Sequence, residues 1–177
     1  MLKKVTAIIL ILFLVFLFSS PVQAWSPRLE RADYIISSTF SEIESLQLKL
    51  NMSFDAFNEF DSLFHYDGRN FNFQGIWLLN FWQRQDLTTQ LRLSAATDFQ
   101  QPALAPSLGV GGELYLGEKS FLLYSLDFYL LEASNRLVYR GGFGRPLAGN
   151  SGFTFTVGNS YWSRTSPNFA LGIRLQF

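Results

Sequence analysis

The single histidine, His65, sits in the segment Asp61-Ser62-Leu63-Phe64-His65-Tyr66-Asp67. An imidazole near a hydroxyl and a carboxylate has the parts for acyl transfer: the ring takes the hydroxyl proton as base, and an acid orients the ring. His65 is therefore the candidate catalytic residue, although the same segment also reads as a solvent-facing loop carrying a lone histidine. The chain has no cysteine, which excludes disulfides, thiolate catalysis, thiolate metal sites and a lipidated N-terminal Cys. One histidine and scattered carboxylates make no metal-ligand set, and nothing points to a cofactor. Gly141-Gly142-Phe143-Gly144 falls inside a strand pattern rather than a phosphate loop between strand and helix; there glycine serves curvature and close packing. The 14 basic and 14 acidic residues cancel, so there is no electrostatic footprint for nucleic acid.

A second set of reactive side chains is spread through alternating segments. Lys49, Asp55, Arg92, Glu113, Asp127, Arg140 and Arg174 all lie on the polar side of runs in which every second residue is apolar. Period two is the signature of strands, whose successive side chains point to opposite faces. Eight such runs follow Leu46: Leu46–Phe54, Phe71–Phe81, Leu87–Ala95, Leu108–Leu116, Leu122–Leu130, Leu137–Phe143, Phe153–Val157 and Phe169–Phe177. Strands of about 9–12 residues are long enough to cross a bilayer at a tilt. The polar face is mostly Gly, Ser, Thr, Asn and Gln with charges of both signs, interrupted by Ile76, Leu78, Leu123 and Val138. The apolar face carries no charge.

Alternation does not say which face is inside. A soluble barrel buries its apolar face, whereas a membrane barrel shows it to lipid and encloses the polar one. Small polar residues and balanced charges suit an enclosed interior, where an unpaired charge is costly. The expected fold is therefore all-β: an eight-stranded antiparallel up-and-down transmembrane barrel over residues 46–177. Leu48, Leu91, Leu126 and Phe155 should face out and Arg92 and Arg174 in. Short connections at Arg84–Asp86, Gly117–Lys119 and Arg145–Asn150 then lie on the periplasmic side. Phe57–Arg69, which holds His65, and Asp98–Pro106 are the longer outward loops. Trp77, Phe81, Trp82, Tyr161 and Trp162 are expected at the membrane interfaces. An eight-stranded lumen is just wide enough to be filled by side chains, so its charges read first as a structural network.

Residues 1–24 have the layout of a cleaved signal peptide. Lys3 and Lys4 precede an apolar run from Ala7 to Phe18, and Val22-Gln23-Ala24 supplies small residues at the cleavage site. Residues 25–45 stand apart. Ser26-Pro27 resembles a helix start, and Leu29, Ala32, Ile36, Phe40 and Ile43 follow at helical spacings. Ser37, Ser38 and Thr39 weaken a helix, so this stretch is read as either a short amphipathic helix or an extension.

The chain end is the most specific signal. Phe169, Leu171, Ile173, Leu175 and Phe177 alternate and finish on a terminal aromatic. This resembles the C-terminal assembly signal of bacterial outer-membrane β-barrel proteins, and the mature chain resembles their small eight-stranded class. The resemblance implies an outer-membrane location, contact with outer-membrane lipids, and recognition of the last strand by the barrel-assembly machinery. The layout of an N-terminal helix, a barrel and a first-loop His is also broadly similar to the lipid A palmitoyltransferase class, with no motif matching residue for residue. Three functions stand side by side: a non-catalytic envelope-integrity or surface-interaction role, a lipid A-modifying enzyme using His65, and a soluble periplasmic barrel binding an apolar ligand.

Overall fold

A strand exposes unpaired N–H and C=O groups along each edge, and this chain removes its edges by closing the sheet on itself. The computed structural model describes residues 27–39, 43–98, 104–117, 120–130, 135–147, 149–159, 161–162 and 168–177. The expected signal segment, 1–24, lies outside these residues. Ten strands are present among the described residues: β1 (Arg28–Ser38), β2 (Ile43–Ser53), β3 (Asn58–Tyr66), β4 (Phe71–Gln83), β5 (Leu87–Asp98), β6 (Leu104–Tyr115), β7 (Phe121–Tyr129), β8 (Arg136–Pro146), β9 (Ser151–Gly158) and β10 (Asn168–Gln176). Each pairs antiparallel with its sequence neighbours, and β1 pairs with β10 to close the barrel. An even count returns the chain to its starting end, where the Phe177 amide donates to the Glu30 carbonyl at 3.0 Å.

The all-β, up-and-down barrel is as expected, but the strand count is ten rather than eight. Both additional strands carry weakened alternation. In β1, which replaces the expected helix or extension, Arg31, Asp33, Ile35 and Ser37 face the lumen. The helical spacing of Leu29, Ala32 and Ile36 arises because a register shift between Leu29 and Arg31 places all three on the outer face, while Ile35 puts an apolar side chain on the inner one. In β3, which replaces most of the expected loop 57–69, Leu63 points inward and Ser62 outward. That inverts the usual polarity at two consecutive positions. The turn that creates β3 was hidden in Phe54-Asp55-Ala56-Phe57. There Asp55 Oδ1 accepts from the backbone N–H of Phe57 at 2.7 Å and of Asn58 at 2.8 Å, an Asx-type reversal. Adding two strands ahead of β4 leaves the direction of every later strand unchanged.

The register fixes the two faces. Arg174 is paired with Asp33 across the closing seam, and Leu126 lies between Val110 and Tyr139 on the other face. Outward residues remain exposed around the wall, among them Tyr34 and Ile36 on β1, Val110 on β6, Leu126 and Phe128 on β7, Phe155 on β9 and Leu171 and Ile173 on β10. Leu48 and Leu91 share that outer face and are half-buried by their neighbours. Inward residues are buried and largely polar, including Asp33, Gln47, Asn51, Asp61, Gln74, Ser94, Asp127, Thr154 and Arg174. This polarity is the reverse of a soluble barrel and matches a barrel solvated by hydrocarbon.

Candidate functional site

The lumen is where the chain's charge and hydrogen-bonding capacity converge, and it is built in three levels. Nearest the end that carries the termini, a four-member cluster spans the closing seam. Arg174 Nε lies 3.1 Å from Asp33 Oδ1 and its Nη1 3.0 Å from Glu113 Oε1. Arg31 reaches the same two carboxylates at 3.5 and 3.2 Å. Tyr115 donates its hydroxyl to Glu113 at 2.9 Å, and the Phe121 ring lies under the Arg174 guanidinium at 4.7 Å. Phe121 can cross the lumen because Gly144 opposes it: a Cβ at that position would overlap the ring. On the far wall at this end, Asn51 and Asn80 both donate to Glu59, at 3.0 and 2.8 Å, and Gln90 donates to Asn80 at 2.8 Å.

The middle level holds two discrete pairs and one leftover charge. Lys49 Nζ is 2.7 Å from Asp61, whose other oxygen accepts from Asn51 at 2.8 Å. Arg92 Nε is 2.9 Å from Asp127 Oδ1. That pair lies flat against β6 because Gly109 and Gly111 leave the space: a Cβ on Gly111 would sit 2.8 Å from Arg92 Cδ, and one on Gly109 would overlap the Asp127 carboxylate. Arg140 enters the same space from β8 and has no ion pair or side-chain hydrogen bond among the described residues.

The opposite end carries two ring stacks. Tyr161 stacks on Tyr129 with centroids 4.7 Å apart, and Trp162 stacks on His65 at 4.7 Å. Below them Gln74 donates to the Tyr129 hydroxyl and to Ser94, and Ser94 meets Ser107 at 2.5 Å. Between these levels lie two adjoining cavities of about 100 Å³ and about 50 Å³, with Lys49, Arg92, Ser125 and Arg140 lining both.

Among the charges expected inside, Lys49, Arg92, Glu113, Asp127, Arg140 and Arg174 line the lumen. Asp55 does not. It is exposed in the turn between β2 and β3, because Ala56 and Phe57 end the strand there. Arg31, Asp33, Glu59 and Asp61 belong to the lumen and were missed, since they fall in the two strands read as helix and loop. The i, i+2 pairs Arg31/Asp33 and Glu59/Asp61 were the available signal.

His65 is in β3, buried within the lumen mouth, not in an outward loop. Its Nδ1 is 3.4 Å from the Asn72 side-chain amide. Ser62, three residues away, has the opposite strand parity and faces outward. Asp67 is committed to the turn between β3 and β4, accepting from the N–H of Arg69 at 2.9 Å and of Asn70 at 2.6 Å. Slight burial pushes the Asp67 carboxyl up, but those amides outweigh it and hold the group below its ordinary range. Neither Ser62 nor Asp67, the hydroxyl and carboxylate of that segment, is brought to His65 for acyl transfer. Tyr161 and Trp162 also depart from expectation, turning into the lumen mouth instead of anchoring an interface. Phe81 and Trp82 are exposed on the outer face near the termini, and Trp77 is covered there by Phe54 and Phe60. The terminal residues Phe169, Leu171, Ile173 and Leu175 form the outward stripe of β10, with Phe177 just beyond it and exposed.

A closed antiparallel meander with an apolar outer wall and a charged, hydrogen-bonded lumen defines a transmembrane-type β-barrel. No protein-family model matches the sequence, and no curated protein is detectably similar to it. Among solved structures, the fold is similar to the KdgM porin, at 13% identity and TM-score 0.53, over 86% of this chain and 99% of that one. It is similar also to the KdgM porin in complex with disordered oligogalacturonate, at 13% identity and TM-score 0.54, over 83% and 99%. At this identity the likeness establishes the shared barrel architecture.

Proposed function

We propose that the protein is a small integral outer-membrane β-barrel with an occluded lumen, serving envelope integrity or surface contact without catalysis. The observation that carries this is the filling of both lumen ends. Phe121 and the Arg31–Asp33–Glu113–Arg174 cluster fill one, and the Tyr161–Tyr129 and Trp162–His65 stacks fill the other. The two cavities between them, of about 100 and about 50 Å³, have room for a few waters. The outer stripe of β10 and the terminal Phe177 fit recognition by the barrel-assembly machinery. The apolar wall fits outer-membrane lipid, and residues 1–24 fit export through a cleaved signal.

Planar-bilayer recording of the purified protein tests the reading. Wild type should give no resolvable conductance steps, whereas Trp162→Ala, which removes the ring over His65, should give small steps. Steady conductance through wild type would replace the occluded reading with a channel. The neighbour captured with oligogalacturonate makes an acidic-sugar passage the natural second reading in that event, given the arginines that border the larger cavity here.

A further inference from the structure

Among the described residues, the middle of the lumen carries one more positive charge than its ion-pair partners neutralise. We propose that Arg140, with Arg92, Lys49 and Ser125, forms a binding site for a small oxyanion, a carboxylate or phosphate group, at the junction of the two lumen cavities.

A guanidinium surrounded by protein is costly unless an anion meets it, and every other lumen carboxylate near this level is already engaged. Asp61 holds Lys49 at 2.7 Å and Asp127 holds Arg92 at 2.9 Å, while Asp33 and Glu113 are held by Arg31 and Arg174. Arg140 has no such partner among the described residues, yet it borders both cavities.

Donors are in excess at that point. Among the described residues, the side-chain partner of Arg92 is Asp127, met through Nε. An ammonium such as Lys49 carries three N–H bonds and a guanidinium five. Arg140, Arg92 and Lys49 border both cavities together, and Ser125, directly paired with Arg140 in the register, adds a hydroxyl. The larger cavity is bordered by Arg31, Lys49, Arg92, Arg140 and Arg174, against Asp33 and Glu113. Its volume of about 100 Å³ suits a phosphate or acetate ion with a water or two. The planar fork of an arginine matches the paired oxygens of either anion. This site does not depend on whether the barrel conducts.

The test uses the full protein in detergent, in buffer free of oxyanions, at constant ionic strength set with chloride. Inorganic phosphate and acetate are titrated separately by calorimetry while the Arg side-chain Nε–H resonances are followed by NMR. Saturable binding of at least one anion is expected, with movement of the Arg140 resonance. The tighter anion identifies the group that the site takes. Arg140→Gln should weaken binding at least tenfold, and its anion-free unfolding midpoint should equal or exceed that of wild type, since no ion pair is lost. Arg140→Lys keeps the charge but loses the fork, and should fall between the two. No saturable binding up to about 10 mM, a regime weaker than any specific site would show, means a cavity filled by water only and overturns the proposal. So does binding that Arg140→Gln leaves unchanged. Should Arg140→Gln not refold, an Arg140 resonance in wild type that does not respond to either anion overturns it equally.

Discussion

Arg174 is the residue whose removal should most clearly separate a structural charge from a free one. Its side chain is 6% exposed, and it bridges Asp33 on the neighbouring strand and Glu113 across the lumen. Arg174→Gln leaves two buried carboxylates facing one remaining guanidinium, that of Arg31 at 3.5 and 3.2 Å. Breaking a buried pair by deleting one partner typically costs about 3–5 kcal/mol, and the surviving Arg31 places this case at the low end, about 3 kcal/mol. Loss of the contact with the Phe121 ring adds about 0.5–1 kcal/mol. The sum corresponds to a shift of roughly two to three orders of magnitude in the unfolding equilibrium. Urea unfolding in lipid vesicles, followed by tryptophan fluorescence, measures it directly. Arg140→Gln under the same conditions should be no less stable than wild type, because it leaves no described carboxylate stranded. The double variant Asp33→Asn/Arg174→Gln should recover about 1 kcal/mol or more relative to the summed single losses. Equal effects of Arg174→Gln and Arg140→Gln would refute the assignment of the seam cluster as the lumen's main electrostatic tie.

The remaining expectations address packing, the membrane face and the middle level. Gly144→Val should displace the Phe121 ring from the lumen and with it the Arg174 guanidinium. The expected readout is loss of the compact, heat-modifiable band on unheated gels. Leu126→Arg, on the outer face near the middle of β7, should destabilise the protein in bilayers by about 2–4 kcal/mol. A negligible effect in vesicles would contradict a lipid-facing wall. Asp61→Ala strands Lys49 in the lumen and should cost about 3–5 kcal/mol, whereas Lys49→Met/Asp61→Leu together should restore most of it. Chemical denaturation of the two variants side by side checks this.

How much was legible in the sequence follows from which signals are local. Alternation over β4 to β10 is a property of neighbouring residues, so those strands, their direction and their two faces could be read directly. The strands that escaped, β1 and β3, are those where Ile35 and Leu63 face inward and Ser62 faces outward. The lumen tolerates an aliphatic side chain, so inner-face polarity is a tendency and not a rule. Asp55 was placed inside by the same logic, because an Asx turn and a strand interior both accept an aspartate, and only the hydrogen bonds to Phe57 and Asn58 distinguish them.

The sequence by itself determined that this chain makes a two-faced antiparallel sheet with an uncharged face, because period and side-chain polarity are written residue by residue. Only the tertiary structure decided that ten strands close the sheet and that Arg174 meets Asp33, 141 residues away. It also decided that Arg140 meets no carboxylate among the described residues. Charge pairing in a lumen depends on which walls the closure brings face to face, and on where Gly109, Gly111 and Gly144 leave room for side chains to cross. No local pattern encodes that distance.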